Sequence, residues 1–313
     1  MNRKVRILTV SSANMDFVMN VQKVPDGGET TIDPGTYSFV PGGKGANSAV
    51  AIQRLGGESI FCTRLGNDQN GSVLKSIYIN EGIDTRFISI DESASTGLAS
   101  IMVEPSGQNR IIVFPGANLR ISDRDIQSAM MSRPDALLMQ LEISAEAVIS
   151  AAKHAHSRNI PVFIDAGPAD ADFPLDRLPP LEVFSPNETE TKIFTGIDPK
   201  SPDECLRAAI ALSKMVTAKY IVLKLGGRGC YIYDGKYYYC LPTYDVPKVD
   251  TTAAGDSFTA ALTLEYMRTG NIAHAGKYAN AVGSLVISKH GALPSIPTES
   301  DVQKFVEYNG IEL

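Results

Sequence analysis

The stretch Lys248-Val249-Asp250-Thr251-Thr252-Ala253-Ala254-Gly255-Asp256-Ser257-Phe258 joins a charged, turn-like segment to the start of an apolar helix pattern. Its run of small residues leaves the backbone N–H groups at the helix start uncovered. Such N–H groups have no partner within the helix and lie at the positive end of its dipole, so they favour anions. An anion pocket beside the carboxylate of Asp256 suits transfer of a phosphoryl group to a hydroxyl. Taken alone, the stretch fits equally well an Asp256 that only caps a buried helix.

The composition indicates a globular chain with a large core. Its 313 residues are 43% hydrophobic and 20% charged, which fits one large α/β domain. The net charge of −6 argues against a general basic surface for nucleic acid, so an anionic substrate must be held by local groups.

The cysteines and the apolar runs bear on the cellular compartment. The four cysteines form no C-x-x-C pair, which argues against a zinc site or a disulfide framework and favours reduced thiols. The apolar run after the basic N-terminus is too short for a signal peptide, and no run approaches the length of a membrane span. We expect a cytoplasmic protein with neither a membrane partner nor a nucleic-acid partner.

Strand patterns and helix patterns alternate along most of the chain. Such alternation indicates a parallel, doubly wound α/β sheet. The turn Asp234-Gly235 adds a hairpin, which we expect at an antiparallel edge of that sheet. The predicted strands are 5–10, 59–64, 136–141, 161–164, 183–185, 220–225, 229–233 and 236–241, and the predicted helices are 48–55, 71–80, 145–158, 258–264, 272–288 and 299–308.

Two further hairpins interrupt the α/β pattern. Residues 17–24 and 30–40 alternate polar and apolar side chains around a Pro-Asp-Gly-Gly turn, and residues 97–103 and 109–114 do so around a second turn. We expect these strands to form a small separate sheet. A small sheet with an apolar face must cover something, either an active site or a partner subunit.

Polar residues follow successive strands of the predicted large sheet. In open α/β sheets, ligands bind beyond the carboxyl ends of the strands. Each residue alone is also an ordinary loop residue, but a series along one edge is how an α/β active site is assembled. The series comprises Asn14, Asp16, Glu142, Asp165, Asn187, Glu190 and the loop 226–229.

A glycine-rich segment, Pro41-Gly42-Gly43-Lys44-Gly45-Ala46-Asn47, precedes the helix pattern 48–55. It lacks the Gly-x-x-x-x-Gly-Lys-Ser/Thr order of a Walker A loop. Its glycines let the backbone approach a small ligand, while Lys44 and Asn47 offer hydrogen bonds. The alternative is that the glycines only mark a turn. We favour a ligand site because the glycines surround a lysine at a helix start.

Two motifs together resemble the signatures of the ribokinase-like, or phosphofructokinase-B-type, sugar kinases. They are Gly42-Gly43-Lys44-Gly45-Ala46-Asn47 and Asp250-Thr251-Thr252-Ala253-Ala254-Gly255-Asp256. Asn14-x-Asp16, Gly28-Glu29-Thr30, Pro115-Gly116-Ala117-Asn118 and Asn187-Glu188-Thr189-Glu190 extend the resemblance over nearly the whole chain. It implies one three-layer, doubly wound α/β domain of residues 1–313. It also implies a small β-sheet lid of about residues 17–40 and 97–114, which forms a homodimer contact.

The resemblance further implies ATP-dependent phosphorylation of D-ribose at its 5-hydroxyl. Asp256 would be the catalytic base that accepts the hydroxyl proton, and the backbone amides of Ala253, Ala254 and Gly255 would form the anion hole. The residues implied to bind the sugar are Asn14, Asp16, Gly42, Gly43, Lys44, Asn47, Glu142 and Asp256.

ATP, Mg²⁺ and a monovalent cation such as K⁺ are implied by the same resemblance. The nucleotide-binding residues would be Asn187, Glu190, Lys224, Gly226, Gly227, Arg228, Gly229, Gly255 and Asn280. Among these, Asn187 and Glu190 would organise Mg²⁺ through water. The monovalent cation would bind, partly through backbone carbonyls, at Asp250, Thr252, Val286, Lys289, Gly291 and Ser295.

Some positions depart from the family pattern. Ser11 stands where glycine is common, Lys224 replaces a frequent threonine, Asp165-Ala166-Gly167 replaces a common Asn-Pro-Ala, and Asn280 stands where some members have histidine. The alternatives are a kinase of the same fold for deoxyribose, fructose or a nucleoside, a non-catalytic sugar-binding regulator, and a structural dimerisation module. The intact Asp256 argues against the regulator, because a pure binder needs no base.

Overall fold

The computed structural model describes residues 3–106 and 108–313. The strands are β1 (Arg6–Val10), β2 (Asn14–Asn20), β3 (Thr36–Gly42), β4 (Glu58–Gly66), β5 (Ile88–Asp91), β6 (Gly97–Val103), β7 (Asn109–Phe114), β8 (Ala136–Gln140), β9 (Val162–Asp165), β10 (Leu181–Ser185), β11 (Ala218–Lys224), β12 (Cys230–Tyr233) and β13 (Tyr238–Leu241). The helices are α1 (Lys44–Arg54), α2 (Gln69–Asn80), α3 (Asp123–Met130), α4 (Ala145–His156), α5 (Glu188–Thr195), α6 (Pro202–Met215), α7 (Ala254–Thr269), α8 (Ile272–Ile287), α9 (Ala292–Ser295) and α10 (Glu299–Tyr308). Within the described ranges, no helix has both the length and the apolar character needed to cross a membrane.

Nine strands form one sheet in the order β13-β12-β11-β10-β9-β8-β1-β4-β5. The strands from β11 to β5 pair in parallel, whereas β12 and β13 pair antiparallel at one edge. The prediction of a doubly wound parallel sheet with an antiparallel hairpin at its edge is therefore confirmed.

Both faces of this sheet are covered by helices. Successive strand residues point to opposite faces. On β1, Ile7 packs in the core shared with α1, α7 and α8, whereas its neighbour Leu8 packs in the core shared with α3, α4 and α6. Strands that are buried on both faces have nearly continuous apolar sequences, and β8 is an example. The result is the expected three-layer α/β architecture.

A second sheet has the strand order β3-β2-β6-β7. Its two antiparallel hairpins meet through parallel pairing of β2 with β6. The strands β6 and β7 have the predicted bounds, but β2 and β3 do not extend over residues 17–24 and 30–40. The carboxylate of Asp33 accepts from the N–H groups of Gln22 at 2.7 Å and Gly35 at 2.8 Å. This local turn ends the pairing of β2 with β3 at Thr36. Pro34 has no N–H group that could extend the pairing.

Helix α1 begins at Lys44 and not at the predicted residue 48. The N–H of Lys44 donates to Oε2 of Glu142 at 3.1 Å, and the N–H of Ala46 donates to the carbonyl of Ser12 at 3.0 Å. Tertiary partners thus satisfy N–H groups that a helix start leaves free. Residues 44–47 of the glycine-rich segment are helical because the surrounding fold supplies these acceptors.

Besides the single-turn helix α9, three helices were not predicted, namely α3, α5 and α6. Each begins with a capping box, at Ser122, Asn187 and Ser201 respectively. The signal was present in the sequence as Ser-x-x-Asp, Asn-x-x-Glu and Ser-Pro-x-Glu, which are helix-start patterns.

Candidate active site

The start of α7 meets the carboxyl ends of the parallel strands. Its N-cap is Ala253, which adopts a left-handed conformation with φ 62° and ψ 3° and makes no side-chain cap. A non-glycine residue in this region is uncommon and carries strain that the surrounding fold must hold. Asp256 lies inside the first turn and not at the cap position. The interpretation of Asp256 as only a helix cap is therefore wrong.

The carboxylate of Asp256 is buried and faces α1. Its Oδ2 accepts from Nδ2 of Asn47 at 2.8 Å, and its Oδ1 lies 3.9 Å from Nζ of Lys44. Burial raises the pKa of Asp256 above its ordinary value, Asp165 adds to this, and Lys44 and Asn47 oppose it. A carboxyl group with a pKa nearer to neutrality is well matched to proton transfer.

A chain of buried hydrogen bonds fixes α1 against the start of α7. Nε2 of Gln140 donates to Oγ of Ser48 at 2.9 Å, and Oγ of Ser48 donates to the backbone carbonyl of Asp256 at 3.1 Å. Because Ser48 directly follows Asn47, the same helix turn holds both the backbone and the side chain of Asp256. Neither Gln140 nor Ser48 was predicted as a site residue from the sequence.

Asn14 and Asp16 lie on strand β2 of the small sheet. The carboxylate of Asp16 lies over Gly42, where a Cβ would be 2.1 Å from its Oδ2, so a side chain at position 42 would displace this carboxylate. Oδ1 of Asn14 accepts from Nδ2 of Asn118 at 2.7 Å, and Oδ1 of Asn118 accepts from the N–H of Ala13 at 3.0 Å. With its oxygen occupied in this way, Asn14 has its side-chain amide NH₂ as the donor for a ligand.

Glu142 follows β8 and ties its loop to the start of α1. Its Oε2 accepts from Oγ of Ser12 at 2.5 Å and from the N–H of Lys44 at 3.1 Å. Burial, and then the charges of Glu142 and Asp256, raise the pKa of Asp16 to about 7. Asp256 and the other nearby carboxylates raise the pKa of Lys44. Several carboxylates around one ammonium group form a cleft that suits a ligand with many hydroxyl groups.

A cavity of about 420 Å³ opens beside the start of α7. Its walls are the loops after β10 and β11, the segment before α7, and α8. That volume is typical of a small-molecule or cofactor site. Predicted nucleotide-binding residues that line it are Asn187, Lys224, Gly226, Gly227, Gly229, Gly255 and Asn280. Unassigned residues that also line it include Thr243, Thr251, Phe258, Gly283 and Ile287.

The loop after β11 approaches the cavity with its backbone. Gly229 has φ 86°, and a Cβ there would lie 2.0 Å from the carbonyl oxygen of Leu241. The side chain of Arg228, by contrast, points to the segment before α6. Its guanidinium donates to the carbonyl of Lys200 at 2.7 Å and to Oε1 of Glu188 at 2.6 Å. Arg228 therefore anchors the loop, and its side chain does not line the cavity. The sequence had instead suggested Arg228 as a nucleotide-binding residue.

Asn187 and Glu190 form the capping box of α5. Oε2 of Glu190 accepts from the N–H of Asn187 at 2.7 Å, and Oδ1 of Asn187 accepts from the N–H of Glu190 at 2.9 Å. Burial raises the pKa of Glu190, and Lys224 opposes this. Across residues 3–106 and 108–313, no three His, Cys, Asp or Glu side chains cluster as a metal site. A lone carboxylate fits Mg²⁺ only as an ion held mainly by phosphates and water.

Asp250 connects the predicted positions for a monovalent cation. Its Oδ1 accepts from the N–H and the hydroxyl of Thr252 at 2.9 and 2.7 Å, and its Oδ2 accepts from the N–H of Gly291 at 2.9 Å. Burial would raise the pKa of Asp250, but the hydrogen bonds from Thr252 and Gly291 outweigh it and lower the pKa. An ionised carboxylate beside backbone carbonyls suits a hard cation.

The other predicted cation positions lie at the end of α8, in the segment that follows it, and in α9. The carbonyl of Val286 accepts from the N–H of Lys289 at 3.2 Å, so these two residues share one turn. The carbonyl of Ile287, between them, accepts from the N–H of Asp250 at 3.2 Å. Ser295 is bound within its own helix, since its hydroxyl donates to the carbonyl of Ala292 at 2.7 Å.

Several residues that shape the site were not predicted from the sequence. Asn118 was visible in the Pro115-Gly116-Ala117-Asn118 motif, but no role was assigned to it. Ser12, Ser48 and Gln140 carry no motif, because their roles depend on contacts between distant segments.

A family profile and two relatives match most of this chain. The family profile described as pfkB family carbohydrate kinase matches residues 4–299. The ribokinase of Haemophilus influenzae is 32% identical over 307 residues, which cover 97% of this chain and 99% of that protein. The bifunctional ribokinase/ribose-5-phosphate isomerase A of Fructilactobacillus sanfranciscensis is 33% identical over 300 residues, which cover 95% of this chain and 55% of that protein. The chain thus spans about half the length of this second relative.

A solved structure gives the corresponding result for the fold. The structure of Arabidopsis thaliana ribokinase complexed with ribose and ATP matches with a TM-score of 0.89 and 29% sequence identity. The match covers 97% of this chain and 99% of that chain. The similarity therefore includes both sheets and the helices between them.

Proposed function

Since the chain belongs to the pfkB family of carbohydrate kinases, we propose that it transfers the γ-phosphoryl group of ATP to the 5-hydroxyl of D-ribose. Two relatives at 32% and 33% identity carry the name ribokinase, and one similar structure holds ribose and ATP. The polar cleft around Asp16 and Lys44 also favours a small polyol over a nucleoside, because a nucleobase would need an apolar pocket.

One observation carries this proposal, namely that the start of α7 contributes to both halves of the site. Gly255 lines the nucleotide-sized cavity, while the carboxylate of the adjacent Asp256 contacts Asn47 and Lys44 in the polar cleft. A hydroxyl bound beside Asp256 therefore lies close to the phosphate end of a nucleotide in the cavity. Phosphoryl transfer depends mainly on such positioning and on charge stabilisation.

In the proposed reaction, the 5-hydroxyl oxygen of ribose attacks the γ-phosphorus and Asp256 accepts the hydroxyl proton. The bond between the γ-phosphorus and the bridging oxygen breaks, and that oxygen leaves with the electron pair as part of ADP. The backbone N–H groups of Ala253, Ala254 and Gly255 stabilise the negative charge that develops on the transferring group. Substrate positioning in this scheme depends on Asn14, Asp16, Gly42, Gly43, Lys44, Asn47 and Glu142.

Two cations belong to the proposal. Mg²⁺ neutralises phosphate charge, and the buried carboxylate of Glu190 beside Asn187 fits an ion held through water. A monovalent cation such as K⁺ would supply fixed positive charge near the start of α7. The ionised Asp250 and the loop that it binds through Gly291 fit such an ion.

We also propose that two copies pair through the outer face of the small sheet. Asp16 points toward the active site, so its neighbour Phe17 points to the opposite face. There Phe17 stacks on Phe39 with ring centroids 4.8 Å apart, while Tyr37 and Phe39 remain 71% and 55% exposed. Exposed aromatic side chains of this kind are typical of an interface core. The occupant that we propose is the same face of a second copy.

A substrate screen tests the proposed activity. Ribose, 2-deoxyribose, fructose and adenosine are compared as acceptors by ADP release, with ATP and Mg²⁺ at saturation. We expect the highest kcat/KM for ribose, and a product that ribose-5-phosphate isomerase accepts. A higher kcat/KM for another acceptor would replace ribose by that substrate. Sugar binding without ADP release, at any acceptor, would favour the non-catalytic regulator.

A further inference from the structure

Lys224 and Asp165 form a buried ion pair across the carboxyl edge of the large sheet. Nζ of Lys224 lies 2.6 Å from Oδ2 of Asp165, and the two side chains are only 10% and 3% exposed. They come from β11 and β9, so the lysine reaches across the end of β10 to its partner. Neither residue follows the pattern of the resembled family, where threonine and asparagine are frequent.

The pair is also connected to the start of α7. The hydroxyl of Thr259 donates to Oδ2 of Asp165 at 2.7 Å, and it lies 3.1 Å from the carbonyl oxygen of Gly255. A Cβ placed on Gly255 would be 3.6 Å from Nζ of Lys224. Lys224 also lines the nucleotide-sized cavity. The ammonium group is therefore held beside the backbone that forms the proposed anion hole.

Packing alone does not explain why this ion pair is buried. Removing two charges from water costs several kcal/mol for each ion, and a neutral pair of similar size is often as stable or more so. Asp165 occupies one of the three N–H donors of the ammonium group, so donors remain for a ligand. A lysine held in this way is a point charge suited to phosphate oxygens.

We propose that Lys224 binds the transferring γ-phosphoryl group of ATP, and that Asp165 together with Thr259 positions its ammonium group for this contact. This role rests on the proposed kinase activity and deepens it. Lys224 stabilises the charge on the phosphoryl oxygens during transfer. Asp165 is a positioning residue, since it acts on the substrate only through Lys224.

Nucleotide binding separates this role from a structural one. The affinities of ADP and of a non-transferring ATP analogue, AMP-PCP, are measured by calorimetry on the full chain with Mg²⁺. Lys224→Met is expected to weaken AMP-PCP roughly tenfold or more, as for loss of a charged hydrogen bond, and to leave ADP within about twofold. The matched control is Lys219→Met, which removes a lysine bound to Glu182 at 2.7 Å from the other end of β11. That control is expected to leave the ratio of the two affinities unchanged.

The second measurement is the turnover of a variant in which uncharged side chains replace both Lys224 and Asp165. Lys224→Met leaves Asp165 buried without its partner, so Asp165→Asn/Lys224→Met is made as a variant with no unpaired charge and no donor at position 224. We expect kcat of this double variant to remain roughly 10²-fold or more below wild type, as for loss of a group that stabilises the transferring charge. Asp165→Asn alone keeps the ammonium group and should lower kcat less than Lys224→Met does.

Equal weakening of ADP and AMP-PCP in Lys224→Met would overturn the proposal, because the lysine would then not distinguish the γ-phosphoryl group. Recovery of kcat in the double variant would also overturn it, by showing that the pair acts only as a structural unit. These outcomes concern Lys224 alone when wild type binds both nucleotides and phosphorylates a sugar. If wild type binds neither nucleotide, the proposed kinase activity fails as well.

Discussion

The side-chain amide of Asn47 donates to Oδ2 of Asp256 at 2.8 Å, and this bond joins residues 209 positions apart in the chain. It brings the first turn of α1 to the first turn of α7. Both helix starts have small residues, so their backbones approach the site closely. The glycine-rich segment and the Asp256 stretch therefore act as two sides of one cleft.

Replacing Asp256 by asparagine tests its role as the base. The variant keeps the size of the side chain and its contact with Asn47, so we expect it to fold and to bind sugar and nucleotide. Without a proton acceptor, kcat should fall by roughly 10²- to 10⁴-fold or more. Steady-state kinetics with ribose, together with calorimetric binding of ribose, checks this. Near-normal turnover would remove Asp256 from the base role.

The pH dependence of kcat tests the environment of Asp256. A base must be ionised, so kcat falls as pH decreases through the pKa of Asp256. Lys44 and Asn47 both lower this pKa, and Lys44 does so more strongly. The single variant Asn47→Ala should therefore move the acid limb to higher pH, and the single variant Lys44→Met should move it further. Asp165 raises the pKa, so Asp165→Asn should move the limb to lower pH. Acid limbs that coincide in all three variants would contradict Asp256 as the titrating group.

Much of the fold was predictable because it depends on local patterns. The strands β6 and β7 have their predicted bounds, since alternation over residues 97–103 and 109–114 is interrupted by one clear turn. The start of α1 was not predictable, because its N–H groups are satisfied by Glu142 and by the carbonyl of Ser12, far away in the chain. Local propensity cannot show such acceptors, and the tertiary contact overrides it.

The site was predictable as a set of residues but not as a set of contacts. The motifs identified Asp256 and Asn47, yet nothing in either motif indicates that the two side chains bond to each other. Arg228 was grouped with the glycines of its loop, although the carbonyl of Lys200 draws its side chain away. Side-chain direction depends on partners from other elements, and these are fixed only when the sheet has formed.

Asp16 links the site to the stability of the protein. Its folded-state pKa of about 7 lies above the ordinary 3.8, so between these values the folded state holds a proton that the unfolded state has lost. The contribution of Asp16 to stability is therefore fully present at low pH, falls as pH rises, and is lost above about pH 7. Asp16→Asn should raise the free energy of unfolding by up to about 4 kcal/mol at pH 8 and change it little at pH 4.

Urea denaturation of the ligand-free protein at the two pH values measures this difference. Asp172→Asn, in an exposed loop, serves as the control for the substitution itself. Because Asp16 belongs to the proposed sugar site, we also expect a higher KM for ribose in Asp16→Asn. An equal change in stability at both pH values would show that Asp16 does not carry the pH dependence.

Replacing Asp250 tests the monovalent-cation site. Asp250→Ala removes the acceptor for the N–H groups of Thr252 and Gly291, so the loop loses both its shape and its ionised carboxylate. We expect K⁺ to increase kcat of wild type, and the variant to need roughly tenfold more K⁺ for the same increase. Activity is measured against KCl at constant ionic strength, with choline chloride as the replacement salt. An unchanged K⁺ requirement in Asp250→Ala would place the cation elsewhere or remove it from the proposal.

The outer face of the small sheet predicts a homodimer that a single charge disrupts. Phe39 belongs to the aromatic group with Phe17 and Tyr37, and it is 55% exposed in the single chain. A carboxylate buried in an interface without a partner is costly, so Phe39→Asp should weaken dimerisation roughly 100-fold or more. Light scattering after size-exclusion chromatography, over a range of protein concentrations, gives the mass directly. Met131→Asp, at an 80% exposed apolar residue outside this sheet, should leave the mass of the dimer unchanged. A wild-type protein that stays monomeric at high concentration would exclude this interface, and a Phe39→Asp variant that stays dimeric would move it to another surface.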